Sequence, residues 1–171
     1  MEFTELLGNE QLKQRLAGML RQRKTSHCYL IAGPDGSGKH TLAALLAAAL
    51  QCTGPGEAPC RRCPQCRKAL GGIHPDVVFV DDETKKTLPV DLIRRVCADV
   101  FIRPNEGAHK VYVFPYAEKL TPIDQNTLLK VLEEPPAYAF FLLLSEQPDA
   151  LLETVRSRCV TFSLEPDGGA L

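Results

Sequence analysis

Residues 30–41 read LIAGPDGSGKHT, and this stretch predicts the architecture of the chain. The apolar residues 29–32 indicate a buried strand, Gly33–Lys39 fit the pattern G-x-x-x-x-G-K, and Thr41–Leu50 are typical of a helix. Glycines in such a loop let backbone N–H groups converge on phosphate oxygens, and the helix N-terminus adds the positive end of its dipole. Strand, loop and helix together predict a phosphate-binding loop.

The pattern also specifies which residues we expect to contact a nucleotide. Lys39 would reach the β- and γ-phosphates, and the residue after it normally supplies a hydroxyl that holds Mg²⁺. In this chain that residue is His40. The other predicted phosphate contacts are Gly33, Gly36, Ser37, Gly38 and Thr41.

A second difference from an ATP-hydrolysing site lies directly after the predicted strand at residues 110–114. An ATP-hydrolysing site needs an acidic pair there, one carboxylate to hold Mg²⁺ and one to activate water. The chain continues instead with Pro115 and Tyr116, and the first acidic residue is Glu118. Proline cannot ligate a metal, and tyrosine is a poor base at neutral pH. Together with His40, these residues predict no significant ATP hydrolysis, weak ATP or phosphate binding and no bound Mg²⁺.

Composition limits the classes of protein that this chain can represent. A length of 171 residues with 44% hydrophobic residues suits one ordinary domain with a small insertion. The net charge of −1 gives the chain no overall attraction for nucleic acid. The first residues do not resemble a secretion signal, and no apolar run is long enough for a membrane span. We therefore expect a cytoplasmic protein with no membrane partner.

Strand-like and helix-like segments alternate along the chain, which predicts an α/β fold with a five-stranded parallel sheet flanked by helices. The predicted strands are 29–32, 76–80, 110–114, 139–145 and 160–164. The predicted helices are 5–24, 41–50, 67–70, 90–101, 122–134 and 151–156. We expect residues 1–164 to form this domain and residues 165–171 to begin a linker.

Four cysteines within fifteen residues interrupt this alternation and predict a small inserted zinc module at residues 52–66. Their spacing, C-x7-C-x2-C-x2-C, suits a closed tetrahedral site with four thiolates and no open position, so the zinc would be structural. An iron–sulfur cluster, four unrelated thiols, or His74 as a replacement ligand remain alternatives. The predicted ligands are Cys52, Cys60, Cys63 and Cys66.

The sequence Ser157–Arg158–Cys159 lies between a predicted helix and the last predicted strand. Such a position can project an arginine from the edge of a domain. An arginine can stabilise the charge of a transferring phosphoryl group and can be supplied by a neighbouring subunit. Chemistry alone does not distinguish Arg158 from Arg156, and an ordinary surface arginine is a further alternative.

Taken together, these features resemble the clamp-loader branch of the AAA+ ATPases, and within it the delta-prime type of bacterial DNA polymerase III. The resemblance extends over nearly the whole chain, and its most specific part is the block at residues 126–136. The motifs that carry it are Leu7–Glu10, Ser26–Leu30, the cysteine module, His74–Asp76, residues 126–136 (NTLLKVLEEPP) and Ser157–Cys159.

The resemblance implies a comparatively rigid subunit of a five-membered ring that supplies Arg158 in trans to the ATP of an adjacent gamma/tau motor subunit. The delta subunit, the sliding clamp and primed DNA would be further partners, within a DNA-directed DNA polymerase holoenzyme. A lid domain and a collar domain would follow the present chain. His40, Pro115 and Tyr116 depart from the motor pattern. A hydrolysing gamma/tau-type motor, or a zinc-containing adaptor outside replication, are the alternative functions.

Overall fold

The computed structural model describes residues 10–21 and 26–166 of the chain. Within these ranges, none of the helices has the length and apolar character needed to cross a lipid bilayer. The strands are β1 (Cys28–Ala32), β2 (Val77–Phe79), β3 (Lys110–Phe114), β4 (Ala139–Ser145) and β5 (Val160–Ser163). The α-helices are α1 (Glu10–Arg21), α2 (Lys39–Gln51), α3 (Pro64–Leu70), α4 (Val90–Val100), α5 (Pro122–Glu133) and α6 (Glu153–Arg156).

All five strands are parallel, and their order in the sheet is β2-β3-β4-β1-β5. The predicted five-stranded parallel sheet is thus confirmed. Every residue of β1, β3 and β4 is buried, which is the expected pattern for strands that helices cover on both faces. All strands end at the same edge of the sheet, called here the carboxyl edge, and begin at the opposite amino edge.

The two faces of the sheet contribute to two separate hydrophobic clusters. Alternate residues of β1 divide between them, because successive side chains of a strand point to opposite faces. Tyr29 and Ile31 pack with the α2 side, whereas Cys28 and Leu30 pack with the α4 and α5 side. Both faces of this interior strand are therefore covered by helices.

The observed elements differ from the sequence-based boundaries in two informative places. Helix α3 begins at Pro64 rather than at residue 67, because the Cys63 sulfur caps it by accepting the Cys66 N–H. Helix α6 begins at Glu153 rather than at residue 151, after a 3₁₀ turn over residues 148–150. The ends of the predicted helix 5–24, part of the motif Leu7–Glu10, and most of the predicted linker 165–171 lie outside the described residues.

Candidate functional site

The phosphate loop lies at the carboxyl edge of the sheet, between β1 and α2. The Gly33 N–H donates to the Ser145 carbonyl of β4 at 3.2 Å, which ties the start of the loop to the neighbouring strand. Gly36 and Gly38 have φ values of 77° and 97°, and Gly38 is the N-cap of α2 without a side-chain cap. The N–H groups at the start of α2 are therefore available to an anion.

The loop is so tightly closed that it excludes a side chain at its first glycine. A Cβ atom on Gly33 would lie 2.5 Å from the Ser37 Oγ and 2.9 Å from the Leu164 carbonyl oxygen. Ser37 itself is 8% exposed, and its buried Oγ has no hydrogen-bond partner among the described residues. A buried hydroxyl without a partner is rare and indicates a missing ligand or water. This observation fits a phosphate oxygen at the loop.

Lys39 is folded back onto the loop that it follows. Its Nζ donates to the carbonyl oxygens of Gly33 at 2.8 Å and of Pro34 at 2.9 Å, and the residue is 6% exposed. These two bonds satisfy an ammonium that would otherwise be buried without a partner. An incoming phosphate would have to attract Lys39 away from both carbonyls. Thr41, another predicted contact, lies on the first turn of α2 and is partly exposed.

An aromatic and cationic cluster contains His40, which stands where the phosphate-loop pattern has a hydroxyl residue, and Tyr116, which follows β3. The rings of His40 and Tyr116 have their centroids 5.7 Å apart. The Nζ of Lys119 lies 5.3 Å from the centroid of Tyr116 and forms an ion pair with the Asp81 carboxylate at 2.9 Å. The nearby Asp81, which follows β2, is therefore already neutralised by a protein cation. This donor set does not fit Mg²⁺, which prefers carboxylate and hydroxyl oxygens.

The four predicted metal ligands converge in three dimensions. Their sulfur atoms all lie within 4.8 Å of one another, close to the edge length of about 3.8 Å for a tetrahedron with Zn–S bonds of about 2.3 Å. The donor set is four cysteine sulfurs with no oxygen, which suits a thiophilic metal such as zinc. His74 is not in the cluster. The converging residues are Cys52, Cys60, Cys63 and Cys66.

Backbone N–H groups favour the thiolate forms of Cys60 and Cys63. The Cys63 sulfur accepts from the N–H of Thr53 at 3.5 Å and of Cys66 at 3.3 Å. Burial by itself raises the pKa of Cys63, but these bonds hold the pKa at about 5. Bonds from the N–H groups of Arg62 and Cys63 lower the pKa of Cys60. Burial raises the pKa of Cys52 and of Cys66.

The cysteine cluster lies at the opposite edge of the sheet from the phosphate loop. Helix α2 begins at the loop and ends at Gln51, whose Nε2 donates to the carbonyl oxygens of Asp76 and His109. Those two residues precede β2 and β3 and therefore mark the amino edge. A helix of thirteen residues spans about 20 Å, so a metal in the cluster is too distant to contact a phosphate at the loop.

His74 and Asp76 belong to a structural hydrogen-bond network and not to the cysteine cluster. The His74 Nδ1 accepts the Asp76 N–H at 3.0 Å, and its Nε2 is bonded to Gln65. Burial lowers the pKa of His74, which favours the neutral ring. The Asp76 carboxylate accepts the backbone N–H groups of Glu106 and Gly107 at 2.8 and 2.6 Å, and also that of Asn105. The bonds to Asp76 thus hold residues 105–107, which precede β3, against the start of β2.

Arg158 immediately precedes Cys159 and β5, so it also lies at the amino edge, away from the phosphate loop of its own chain. Its Nη2 forms an ion pair with the Glu133 carboxylate at 2.7 Å, and its Nη1 donates to the Thr154 carbonyl at 2.9 Å. The side chain retains 33% exposure. The guanidinium is therefore oriented and still accessible.

The contacts of the Arg156 guanidinium differ from those of Arg158. Its Nε donates to the Leu151 carbonyl at 3.1 Å, and its Nη1 lies 3.6 Å from the Asp149 carboxylate, which is 98% exposed. The first contact stabilises the turn into α6. Arg156 thus supports the backbone, whereas Arg158 is oriented by charged and polar groups of α5 and α6.

Sequence reasoning missed two residues that position these groups. Glu133 was part of the helix prediction, but its ion pair with Arg158 joins residues 25 apart. Gln125 of α5 is 2% exposed, donates to the Leu120 carbonyl at 3.0 Å and accepts the Leu152 N–H at 2.7 Å. Gln125 and its neighbour Asp124 are the buried polar residues of α5, and the sequence alone does not show that either is buried. Glu133 and Gln125 show that α5 holds the segment that presents Arg158.

Comparison with known proteins places the chain in a family. Residues 8–168 match the family model described as "DNA polymerase III, delta subunit". The chain is 37% identical over 153 residues to the delta′ subunit of Yersinia pestis, which covers 88% of this chain and 45% of that protein. It is 34% identical over 164 residues to the tau subunit of Bacillus subtilis, 95% of this chain and 29% of that protein. The chain spans less than half the length of these curated relatives.

Solved structures agree on the fold. A DNA polymerase III gamma subunit-related protein from Thermotoga maritima matches with a TM-score of 0.64 and 23% identity, over 90% of this chain and 45% of that one. The RuvB Holliday junction branch migration motor of the same organism matches with a TM-score of 0.54 and 18% identity, over 94% of this chain and 46% of that one. The predicted fold, a five-stranded parallel sheet flanked by helices, is thereby confirmed, and the chain belongs to the clamp-loader subunit family of DNA polymerase III.

Proposed function

We propose that this chain is a non-hydrolysing, delta′-type subunit of a bacterial clamp loader. One observation carries the proposal: the phosphate loop is intact, but His40, Pro115 and Tyr116 replace the groups that would hold Mg²⁺ and activate water. Such a site can bind the phosphates of a nucleotide and lacks the groups needed to hydrolyse ATP. The subunit would then contribute to the complex through its shape and its surface.

The position of Arg158 supports a role in trans. It lies at the amino edge of the sheet, whereas its own phosphate loop lies at the carboxyl edge, so it is directed away from a nucleotide in the same chain. In a ring of subunits, such an edge faces a neighbour. We infer that Arg158 stabilises the γ-phosphate charge of ATP held by an adjacent gamma/tau motor subunit. Delta would be another partner, with the clamp and primed DNA contacted through the complex.

Two further parts of the proposal concern the rest of the molecule. The four-cysteine cluster would hold one structural zinc ion, because its sulfurs converge and its site lies far from the phosphate loop. Residues 1–164 would form the AAA+ domain, with the zinc module at 52–66 inserted and a linker to a lid domain after it. In this proposal the zinc ion takes no part in nucleotide binding or hydrolysis.

A gamma/tau-type motor is the second candidate function. The tau relative from Salmonella typhimurium is 36% identical over 164 residues, close to the value for the delta′ relatives, so identity does not separate the two roles. The residues at positions 40, 115 and 116 favour the delta′ type. A motor needs a hydroxyl at position 40 and carboxylates at positions 115 and 116, where this chain has His, Pro and Tyr.

Nucleotide binding tests this distinction. We expect ATP binding to the protein to be weak and unchanged by Mg²⁺, because the phosphate loop offers N–H donors and Lys39, whereas His40 and Pro115 stand where oxygen ligands of the metal would be expected. Calorimetric titration with ATP, in the presence and absence of Mg²⁺, measures this. Lys39→Ala should abolish the residual binding. Tight Mg²⁺-dependent binding with phosphate release would support the motor function instead.

A gain-of-function variant provides the converse test. The triple change His40→Thr, Pro115→Asp and Tyr116→Glu restores oxygen ligands at the metal position. We expect it to make ATP binding stronger with Mg²⁺ than without, while the single change His40→Thr does so less. If the triple variant still ignores Mg²⁺, the three residues are not the cause of the lost metal dependence.

Glu133 is expected to act as a positioning residue for Arg158. Removing its carboxylate with Glu133→Ala should lower ATP turnover by the adjacent motor about two- to fivefold, because an exposed ion pair is worth about 0–1 kcal/mol. Glu133→Gln retains an acceptor oxygen and should restore most of the turnover. Glu134→Ala, one residue further along, is the matched control. Equal thermal stability with reduced turnover would separate positioning from a structural role.

A further inference from the structure

Two cysteines outside the metal cluster lie against each other across two neighbouring strands. Cys28 begins β1, Cys159 immediately precedes β5, and the following residues Tyr29 and Val160 are register partners. The Sγ atoms of Cys28 and Cys159 are 2.7 Å apart. The pairing of β1 with β5 therefore holds these thiols side by side, although they are 131 residues apart in the chain.

We propose that Cys28 and Cys159 form an oxidisable dithiol that takes up an intramolecular disulfide. A disulfide needs an S–S distance of about 2.05 Å and Cα atoms about 4.4–6.8 Å apart. Adjacent positions on paired strands are about 4.8 Å apart, which lies within that range. The bond can therefore form by a small movement of the two sulfurs, while the strands keep their register.

The surroundings of the two sulfurs assign them different roles. Cys28 is 2% exposed, whereas Cys159 is partly exposed and donates its thiol proton to the Val155 carbonyl at 3.3 Å. Hydrogen bonding with Cys159, followed by burial, raises the pKa of Cys28 well above its usual value. Because Cys28 is also shielded from solvent, Cys159 is the sulfur that an oxidant reaches first.

Hydrogen peroxide serves as the oxidant in this scheme. The Cys159 sulfur attacks one peroxide oxygen and becomes a sulfenic acid, and the other oxygen leaves as water with the thiol proton. The Cys28 sulfur then attacks the sulfenic sulfur, and its proton leaves with the hydroxyl group as a second water. Two thiols are oxidised by two electrons in total, and one peroxide is reduced to two waters.

The disulfide would join the first residue of β1 to the residue that follows Arg158. It would close a long loop that contains most of the domain, and such a crosslink stabilises chiefly by restricting the unfolded chain. We expect the melting temperature of the oxidised protein to rise by about 5–15 °C. Reduction with dithiothreitol should reverse this shift.

Peroxide titration of the chain, purified without chelators, tests the proposal. After treatment, remaining thiols are alkylated under denaturing conditions, and the digested peptides are identified by mass spectrometry. We expect a linked Cys28–Cys159 peptide pair to accumulate before Cys97 is modified. Cys97, a partly exposed cysteine of α4 whose thiol donates to the Thr127 carbonyl, is the internal reference.

Two variants make the result specific. Cys159→Ala should leave Cys28 as a free thiol after the same treatment and should remove the oxidation-dependent shift in melting temperature. Cys97→Ala should keep both the linked peptide and the shift. The proposal is overturned if Cys97 or the cluster cysteines are oxidised while Cys28 and Cys159 of the unmodified chain remain free thiols. This test does not depend on the proposed role in clamp loading.

Discussion

Arg158→Ala is expected to reduce ATP turnover by the assembled clamp loader, while the variant subunit folds and enters the complex normally. An arginine supplied in trans contributes roughly 10³–10⁵-fold at the site that it contacts. Only the motor site adjacent to this subunit should lose that contribution, so the turnover of the whole complex should fall by a smaller factor. Steady-state phosphate release and clamp loading onto primed DNA, measured with the full-length subunit, report the change.

Two other arginine variants make the assignment specific. Arg158→Lys should restore little activity, because an ammonium cannot reproduce the planar fork of donors that a guanidinium presents to phosphate. Arg156→Ala should reduce the thermal stability slightly, since its Nε supports the Leu151 carbonyl, and should leave turnover nearly unchanged. A loss of turnover with Arg156→Ala and not with Arg158→Ala would show that Arg156, rather than Arg158, acts in trans. No loss with either variant would refute action in trans.

Cys63→Ser is expected to lower the zinc affinity of the protein at least about 10²-fold. The sulfur of Cys63 is a predicted ligand and the N-cap of α3, so the substitution removes a metal bond while the serine hydroxyl can still cap that helix. Loss of a group that merely orients a ligand already costs about 10–100-fold in affinity. Elemental analysis of the unmodified protein should give one zinc per chain, against less than one for the variant.

The loss of structure caused by Cys63→Ser should be confined to the zinc module at residues 52–66, because metal binding and local folding are coupled there. Hydrogen exchange should accelerate across residues 52–66, while β1, β3 and β4 keep their protection. Cys97→Ser is the matched control, since that thiol lies on α4 outside the cluster. Protein purified without chelators that contains no zinc would refute the site, and iron in its place would favour the cluster alternative.

The sequence by itself determined those features that depend on local spacing. Alternating apolar segments gave the five parallel strands, and β3 and β4 have the bounds that their apolar runs predicted. The glycines and Lys39 specified the phosphate loop, and the cysteine spacing specified the four sulfurs that converge. Each of these signals lies within a short stretch, where chain geometry alone decides which groups meet.

The tertiary structure alone decided which distant segments became neighbours. The order β2-β3-β4-β1-β5 places β5 beside β1, and this brings Cys159 to Cys28. The ion pairs of Lys119 with Asp81 and of Arg158 with Glu133 arise in the same way. No local pattern encodes these contacts, because they depend on how several buried strands and helices share one core.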